Sequence, residues 1–166
     1  PDPDRRVMDR ISKLKDDEIG YQRVQQMKQD GKELSFKITG TIMEVTLHRP
    51  LLPKTKTTFD LTFESQVPLQ IRRSGRNNRE GISYSMTQWY PKMAEYDFQG
   101  WHAYQYVARE FHSAWGDFDV KISIDPKFVI GGTGKLQNPN QIGHGYENGS
   151  VNKTGGNLTW HFVARS

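Results

Sequence analysis

Cysteine is absent from the 166 residues, so neither a disulfide framework nor a thiolate metal site can be built. Its absence leaves the compartment open, because a cytosolic protein and a bacterial envelope protein without disulfides both fit. Also missing is any apolar run long enough to span a bilayer. Charge of one sign is scarce: 23 Lys and Arg oppose 19 Asp and Glu, a net +4 that falls short of a nucleic-acid-binding excess. The start, Pro1-Asp2-Pro3-Asp4, has neither an initiator Met nor an apolar stretch, so no signal peptide is read there. The end falls on or just after an alternating segment, Leu158, Trp160 and Phe162. Both ends read as cuts, and the expectation is a piece of a longer polypeptide.

Catalytic motifs are missing as well. The histidines are His48, His102, His112, His144 and His161, and none lies in a His-Glu-x-x-His helix, which would set two ligands on one face. Glu110-Phe111-His112 and His144-Gly145-Tyr146-Glu147 are the nearest pairs, and each reads equally as surface or hydrogen-bonded histidine. There is no Gly-x-Ser-x-Gly elbow. Gly131-Gly132-Thr133-Gly134-Lys135 imitates a phosphate loop, but Val129 and Leu136 stand where that loop needs Gly and Ser or Thr, so a strand-ending turn is expected. The pairs Glu95/Asp97 and Asp117/Asp119 lack an EF-hand frame and read as surface positions. Three formal glycosylation triplets begin at Asn148, Asn152 and Asn157 in a stretch where such triplets arise easily.

What is present is a globular composition, with 34% hydrophobic and 11% aromatic residues. Val7, Ile11 and Leu14, then Ile19, Arg23 and Met27, fall at helical spacing. The pattern predicts a helical lead from about Asp4 to Met27, capped by Asp4, broken near Gly20 and closed by Asp30-Gly31. From Glu33 the period becomes two. Leu34/Phe36/Ile38, Met43/Val45/Leu47, Phe59/Leu61/Phe63, Val67/Leu69/Ile71, Phe118/Val120/Ile122/Ile124 and Leu158/Trp160/Phe162 each predict a strand with one buried face. The expectation is a mainly β protein: a lead or insertion over residues 1–32 and, over 33–166, an antiparallel β-sandwich or saddle-like pair of sheets. Residues between Gly75 and Gly116 are irregular and dense in aromatics, and Gly131 to Gly156 reads as long turns.

One stretch is distinctive. Ser85-Met86-Thr87-Gln88-Trp89-Tyr90-Pro91-Lys92-Met93-Ala94-Glu95-Tyr96-Asp97 is followed by Gly100-Trp101-His102, Arg109-Glu110-Phe111-His112, Gly116-Asp117-Phe118-Asp119-Val120-Lys121-Ile122 and Gly131-Gly132-Thr133-Gly134-Lys135-Leu136. In this order the segments resemble the N-terminal β domain of M1-family zinc metallopeptidases, in particular secreted aminopeptidase-like members from Bacteroidetes-type bacteria. The resemblance runs from about Leu34 to Phe162, and the helical lead resembles an insertion in some relatives. It implies a non-catalytic domain that packs on the catalytic domain of the same polypeptide and lines the peptide-substrate cleft. Zinc, its ligands and the general base would belong to that next domain, leaving no cofactor in this chain. A periplasmic, cell-envelope or secreted location is implied likewise. Gln88 matches a cleft Gln of the family. Tyr90 replaces the second polar residue, which puts the usual substrate-amine contact in doubt. Both residues also read as a turn bonded to its own backbone.

Two rivals remain. An independent β-sandwich module could bind peptide or glycan through exposed Trp and Tyr. The loop holding Arg72, Arg73, Arg76 and Arg79 could hold phosphates or an acidic partner, or be a solvated loop paired to Glu80 or another domain; no RNA-binding motif accompanies it and no nucleic-acid partner is expected.

Overall fold

The computed structural model describes residues 9–71, 73–104, 114–143 and 155–166. It is mainly β, with antiparallel sheets and very little helix, and it divides into two compact units, Pro1–His112 and Ser113–Ser166.

In the first unit, β1 (Tyr21–Gln29), β2 (Lys32–Glu33) and β5 (Phe59–Gln66) form a three-stranded sheet in the order β2-β1-β5. Two-stranded ribbons are made by β3 (Phe36–Thr39) with β4 (Ile42–Val45), and by β6 (Gly75–Arg76) with β7 (Tyr84–Ser85). A third ribbon joins β8 (Tyr96–Asp97) to β9 (Gly100–Trp101). Over the described residues 9–29 the expected helical lead does not form; Asp4 and Val7 lie outside the described residues. Among the described residues up to Gln29 the only helix is a 3-10 turn at Ile11–Lys13, and residues 21–29 are a strand.

The physical reason lies in a β-bulge. Val24 pairs with Phe63 and Gln26 with Thr62, leaving Gln25 as an extra residue. Val24, Met27 and Gln29 therefore pair with Phe63, Leu61 and Phe59 of β5 at a spacing of three and then two, which breaks the period-two signal of a strand in the sequence. Residues 15–19 make one hydrogen-bonded turn, with Ile19 N donating to Lys15 O at 3.1 Å. That turn is tethered from outside: Gln66 Nε2 donates to Asp16 O at 2.9 Å and to Ile19 O at 2.8 Å, and Arg76 Nη2 donates to Asp17 O. Gly20 follows because the Pro68 ring leaves no room, a Cβ there lying 2.9 Å from Pro68 Cδ. The strand expected at Val67/Leu69/Ile71 is reduced to a bridge between Leu69 and Arg76, since Pro68 withholds a ladder donor.

The apolar core of this unit is small, with Met27 and Leu34 buried, and a polar network supplements it. Gln29 is 1% exposed, and its amide makes three bonds: Nε2 donates to Arg49 O at 3.0 Å and to Thr57 Oγ1 at 3.3 Å, and Oε1 accepts from Arg49 N at 3.1 Å. Asp30 accepts from Thr58 N at 3.0 Å, Thr57 Oγ1 at 2.8 Å and Arg49 Nη2 at 2.7 Å. Those donors, the Thr58 amide foremost and then the Thr57 hydroxyl and Arg49, pull its pKa from 3.8 down to about 2. The 49–58 loop is thus pinned to the β1–β2 turn.

In the second unit, β10 (Phe118–Ile124) and β11 (Lys135–Leu136) flank β12 (Leu158–Ala164), with a short helix α1 (Pro139–Ile142) packed on it. Alternation sets the core: Val120, Ile122 and Ile124 pair with Phe162, Trp160 and Leu158, and Leu136 also pairs with Phe162. Trp160, Phe162 and Ile142 are buried beneath Ile122, Ile124, Ile130, Leu136 and Leu158. The Gly131–Lys135 run is a turn entering β11. Gly134 has φ +94°, and a Cβ there would meet Val163 O at 2.6 Å, so glycine is required by both conformation and close approach. Short pieces of regular structure, β11 and α1, interrupt the stretch read as long turns.

Candidate functional site

The Thr87–Lys92 segment holds both candidate cleft residues, and it is fastened from three sides. At its start Thr87 N donates to Ser74 Oγ at 3.1 Å, and Ser74 Oγ donates back to Thr87 O at 3.1 Å. In its middle Gln22 of β1 donates through Nε2 to Trp89 O at 2.8 Å. The Trp89 ring lies 6.4 Å from Phe63 of β5 and 5.7 Å, edge-on, from Tyr90. Gln88 takes a left-handed backbone with φ +51°, which is uncommon for a residue with a side chain. Its side chain is exposed, and its Oε1 accepts from Lys92 Nζ at 3.1 Å. Tyr90 is half-buried. Gln88 thus sits in a bend, and its side chain bonds Lys92.

Past Pro91 the chain forms an aromatic hairpin. Tyr96 and Trp101 are cross-strand partners with ring centroids 4.9 Å apart. Asp97 closes the turn by accepting from Gln99 N at 2.8 Å, and it faces His102 Nε2 at 2.9 Å. His102 N donates to Glu95 O at 2.8 Å, extending the pairing. Phe98 at the tip is 94% exposed, Tyr104 69%, Tyr96 62% and Trp101 61%. The hairpin is fixed by backbone and polar bonds while its rings face outward.

The remaining candidates separate. Arg76 is spent on the fold, donating through Nε to Val67 O at 3.1 Å as well as to Asp17 O. Arg73 and Arg79 are exposed, and Arg72 lies outside the described residues, so the basic cluster loses its unity. Of the Glu95/Asp97 pair, Asp97 is engaged by His102. Asp117 and Asp119 have separate partners, Asp117 accepting from Arg165 Nη1 at 3.0 Å and Asp119 facing His161 Nε2 at 2.8 Å. His48 Nε2 sits 2.8 Å from Lys32 Nζ. His112, His144, Glu110 and Glu147 lie outside the described residues. Among the described residues no three His, Asp or Glu side chains converge on a metal position. An apolar cleft of about 480 Å³, lined by Ile11, Leu14, Ile19, Pro68, Leu69 and Ile71, offers shape without a titratable group.

Sequence reasoning missed Gln22, Phe63 and Lys92 as parts of the site. Gln22 lay inside the misread helix. The Gln88-x-x-x-Lys92 spacing was the available signal for Lys92. No family model, no curated protein and no solved structure matches the chain.

Proposed function

We propose that this chain is the non-catalytic N-terminal domain of an M1-like zinc metallopeptidase of the aminopeptidase type. In this reading it packs on a catalytic domain of the same polypeptide and lines the peptide cleft with Gln88 and Tyr90. The two units would then be parts of a β-sandwich or saddle-like domain. The zinc and the hydrolytic chemistry would reside in the partner domain, and the protein would work in the periplasm, at the cell envelope or outside the cell. The observation that carries the reading is the anchored Thr87–Lys92 segment. Its backbone and tryptophan are tied to β1 and β5, while the Gln88 amide stays at the surface. The ordered resemblance of the quoted sequence segments supports it, and so does the exposed aromatic hairpin, whose rings suit domain packing.

The intact polypeptide tests this. Gln88→Ala and Tyr90→Ala should each raise KM for peptide hydrolysis several-fold while bound zinc stays at one ion per chain. Wild-type polypeptide that neither holds zinc nor cleaves peptides would refute the reading.

A second reading, an independent peptide- or glycan-binding module, is favoured by one observation, the exposed Tyr96–Trp101 pair on a self-contained hairpin. Saturable quenching of Trp101 fluorescence by oligosaccharides, lost in Trp101→Ala, would support it over domain packing.

A further inference from the structure

Gln88 and Lys92 differ from an ordinary exposed amide and an ordinary exposed lysine. A free glutamine side chain can turn over and present either its carbonyl or its NH2 group. Here the carbonyl oxygen accepts from the Lys92 ammonium at 3.1 Å. Turning the amide over would set NH2 against ammonium, donor facing donor, so Lys92 fixes which way the amide points. The NH2 group is then directed away from Lys92, with both of its hydrogens unspent. An ammonium carries three donors, and the bond to Gln88 uses one. No ion pair among the described residues involves Lys92. The pair therefore offers hydrogen-bond donors and one uncompensated positive charge. It stands on a firm base, since Thr87 is bonded to Ser74 and Trp89 to Gln22 and Phe63.

We infer that Gln88 and Lys92 together form a subsite for a carboxylate of a peptide ligand, with Lys92 as the residue that sets the orientation of the Gln88 amide. A carboxylate supplies acceptors to both groups and opposes the charge, giving charge-assisted hydrogen bonds. A free amine at the same place would meet donors and a like charge. The inference rests on the cleft reading above and sharpens it: Gln88 selects an anionic oxygen, and the substrate's amine must be held elsewhere. The carboxylate has two sources, the C-terminus of a short peptide or the side chain of an acidic residue.

The experiment is a titration of the chain followed by amide spectra that include the Gln88 side-chain NH2 and the Trp89 indole. Three ligands are used: N-acetyl-triglycine as the free acid, its C-terminal amide, and N-acetyl-Gly-Glu-Gly amide. One or both carboxylate peptides should shift these signals saturably, the neutral amide binding at least tenfold more weakly. A response to the free acid alone assigns a C-terminal carboxylate, and a response to the Glu peptide alone assigns an acidic side chain. Lys92→Met should weaken carboxylate binding about tenfold, and Lys92→Arg should retain it. Lys92 is exposed and bonded only to Gln88, so these substitutions should leave the dispersed spectrum of the folded chain intact. Equal shifts from all three peptides, undiminished in Lys92→Met, would overturn the carboxylate subsite while leaving the cleft reading in place. Silence of residues 87–92 toward every peptide would overturn the subsite, and the KM measurement on the intact polypeptide then decides the cleft reading separately.

Discussion

In β12 the Trp160 ring has no exposed surface and lies parallel to Phe162 with centroids 6.2 Å apart. In the β8–β9 hairpin Tyr96 and Trp101 approach closer, to 4.9 Å, yet both are more than half exposed. Both pairs are aromatic and include a tryptophan, and the surroundings differ. β12 is the central strand of its sheet, and α1 with Ile142 covers the face on which its rings lie. The hairpin has two strands of two residues each, with no third strand to pack on among the described residues. Aromatic density in a sequence therefore marks core in one region and surface in another, and the number of strands beneath the rings decides which. A ribbon of two strands is not stable by ring contact alone, which is why Asp97, Gln99, His102 and Glu95 hold it with polar bonds.

The sharpest way to break the contrast is to truncate one ring on each side. Trp160→Ala should cost about 3–5 kcal/mol by loss of buried ring and a residual cavity; it is read from denaturant unfolding of the Ser113–Ser166 unit. Phe98→Ala, by contrast, should stay within about 0.5 kcal/mol of the parent. If both changes cost alike, the hairpin rings are core and the contrast falls.

Gly134→Ala comes next. It places a side chain at φ +94° and within 2.6 Å of a backbone oxygen, so a loss of about 1–3 kcal/mol is expected in the same unit. Thermal unfolding should show it, while Gly131→Ala, where a Cβ meets nothing within 4 Å, should be nearly silent.

Trp89 is the intermediate case, part anchor and part surface. Trp89→Ala should cost about 1 kcal/mol through the lost ring pairs with Phe63 and Tyr90. It should also disturb Gln88 signals more than Trp101→Ala does.

Asp30 gives a pH test of the polar network that supplements the small core around Met27. Its folded pKa of about 2 lies below the ordinary 3.8, so the carboxylate is favoured by folding. The stabilisation is fully present above about pH 4 and fades as pH falls through 2. Asp30→Asn should lower the unfolding midpoint at pH 7, and the gap to the parent should narrow toward pH 2.

Much of the β architecture was legible in the sequence. Phe118–Ile124 and Leu158–Phe162 alternate without interruption and form the paired strands β10 and β12, and Phe59–Phe63 forms β5. The β1 strand was not legible. Its bulge at Gln25 breaks the alternation of the residues along it, and only pairing with β5, distant in sequence, reveals the strand. Pro68 was visible, but its consequence for the Val67–Ile71 segment depended on the turn it packs against at Gly20. At the site, Gln88 and Tyr90 were visible through a motif, whereas Gln22 and Phe63 reach Trp89 across 67 and 26 residues of chain, beyond any local pattern. The four arginines of the basic loop read as one cluster in the sequence, and Arg76 leaves it because its guanidinium binds the carbonyls of Val67 and Asp17.

The central claim is that this β domain serves a zinc peptidase, and the most direct measurement is to sequence the gene beyond the Ser166 codon. The account predicts a His-Glu-x-x-His helix followed by a helix bearing a third ligand, Glu. A stop codon, or a continuation without zinc ligands, would contradict it.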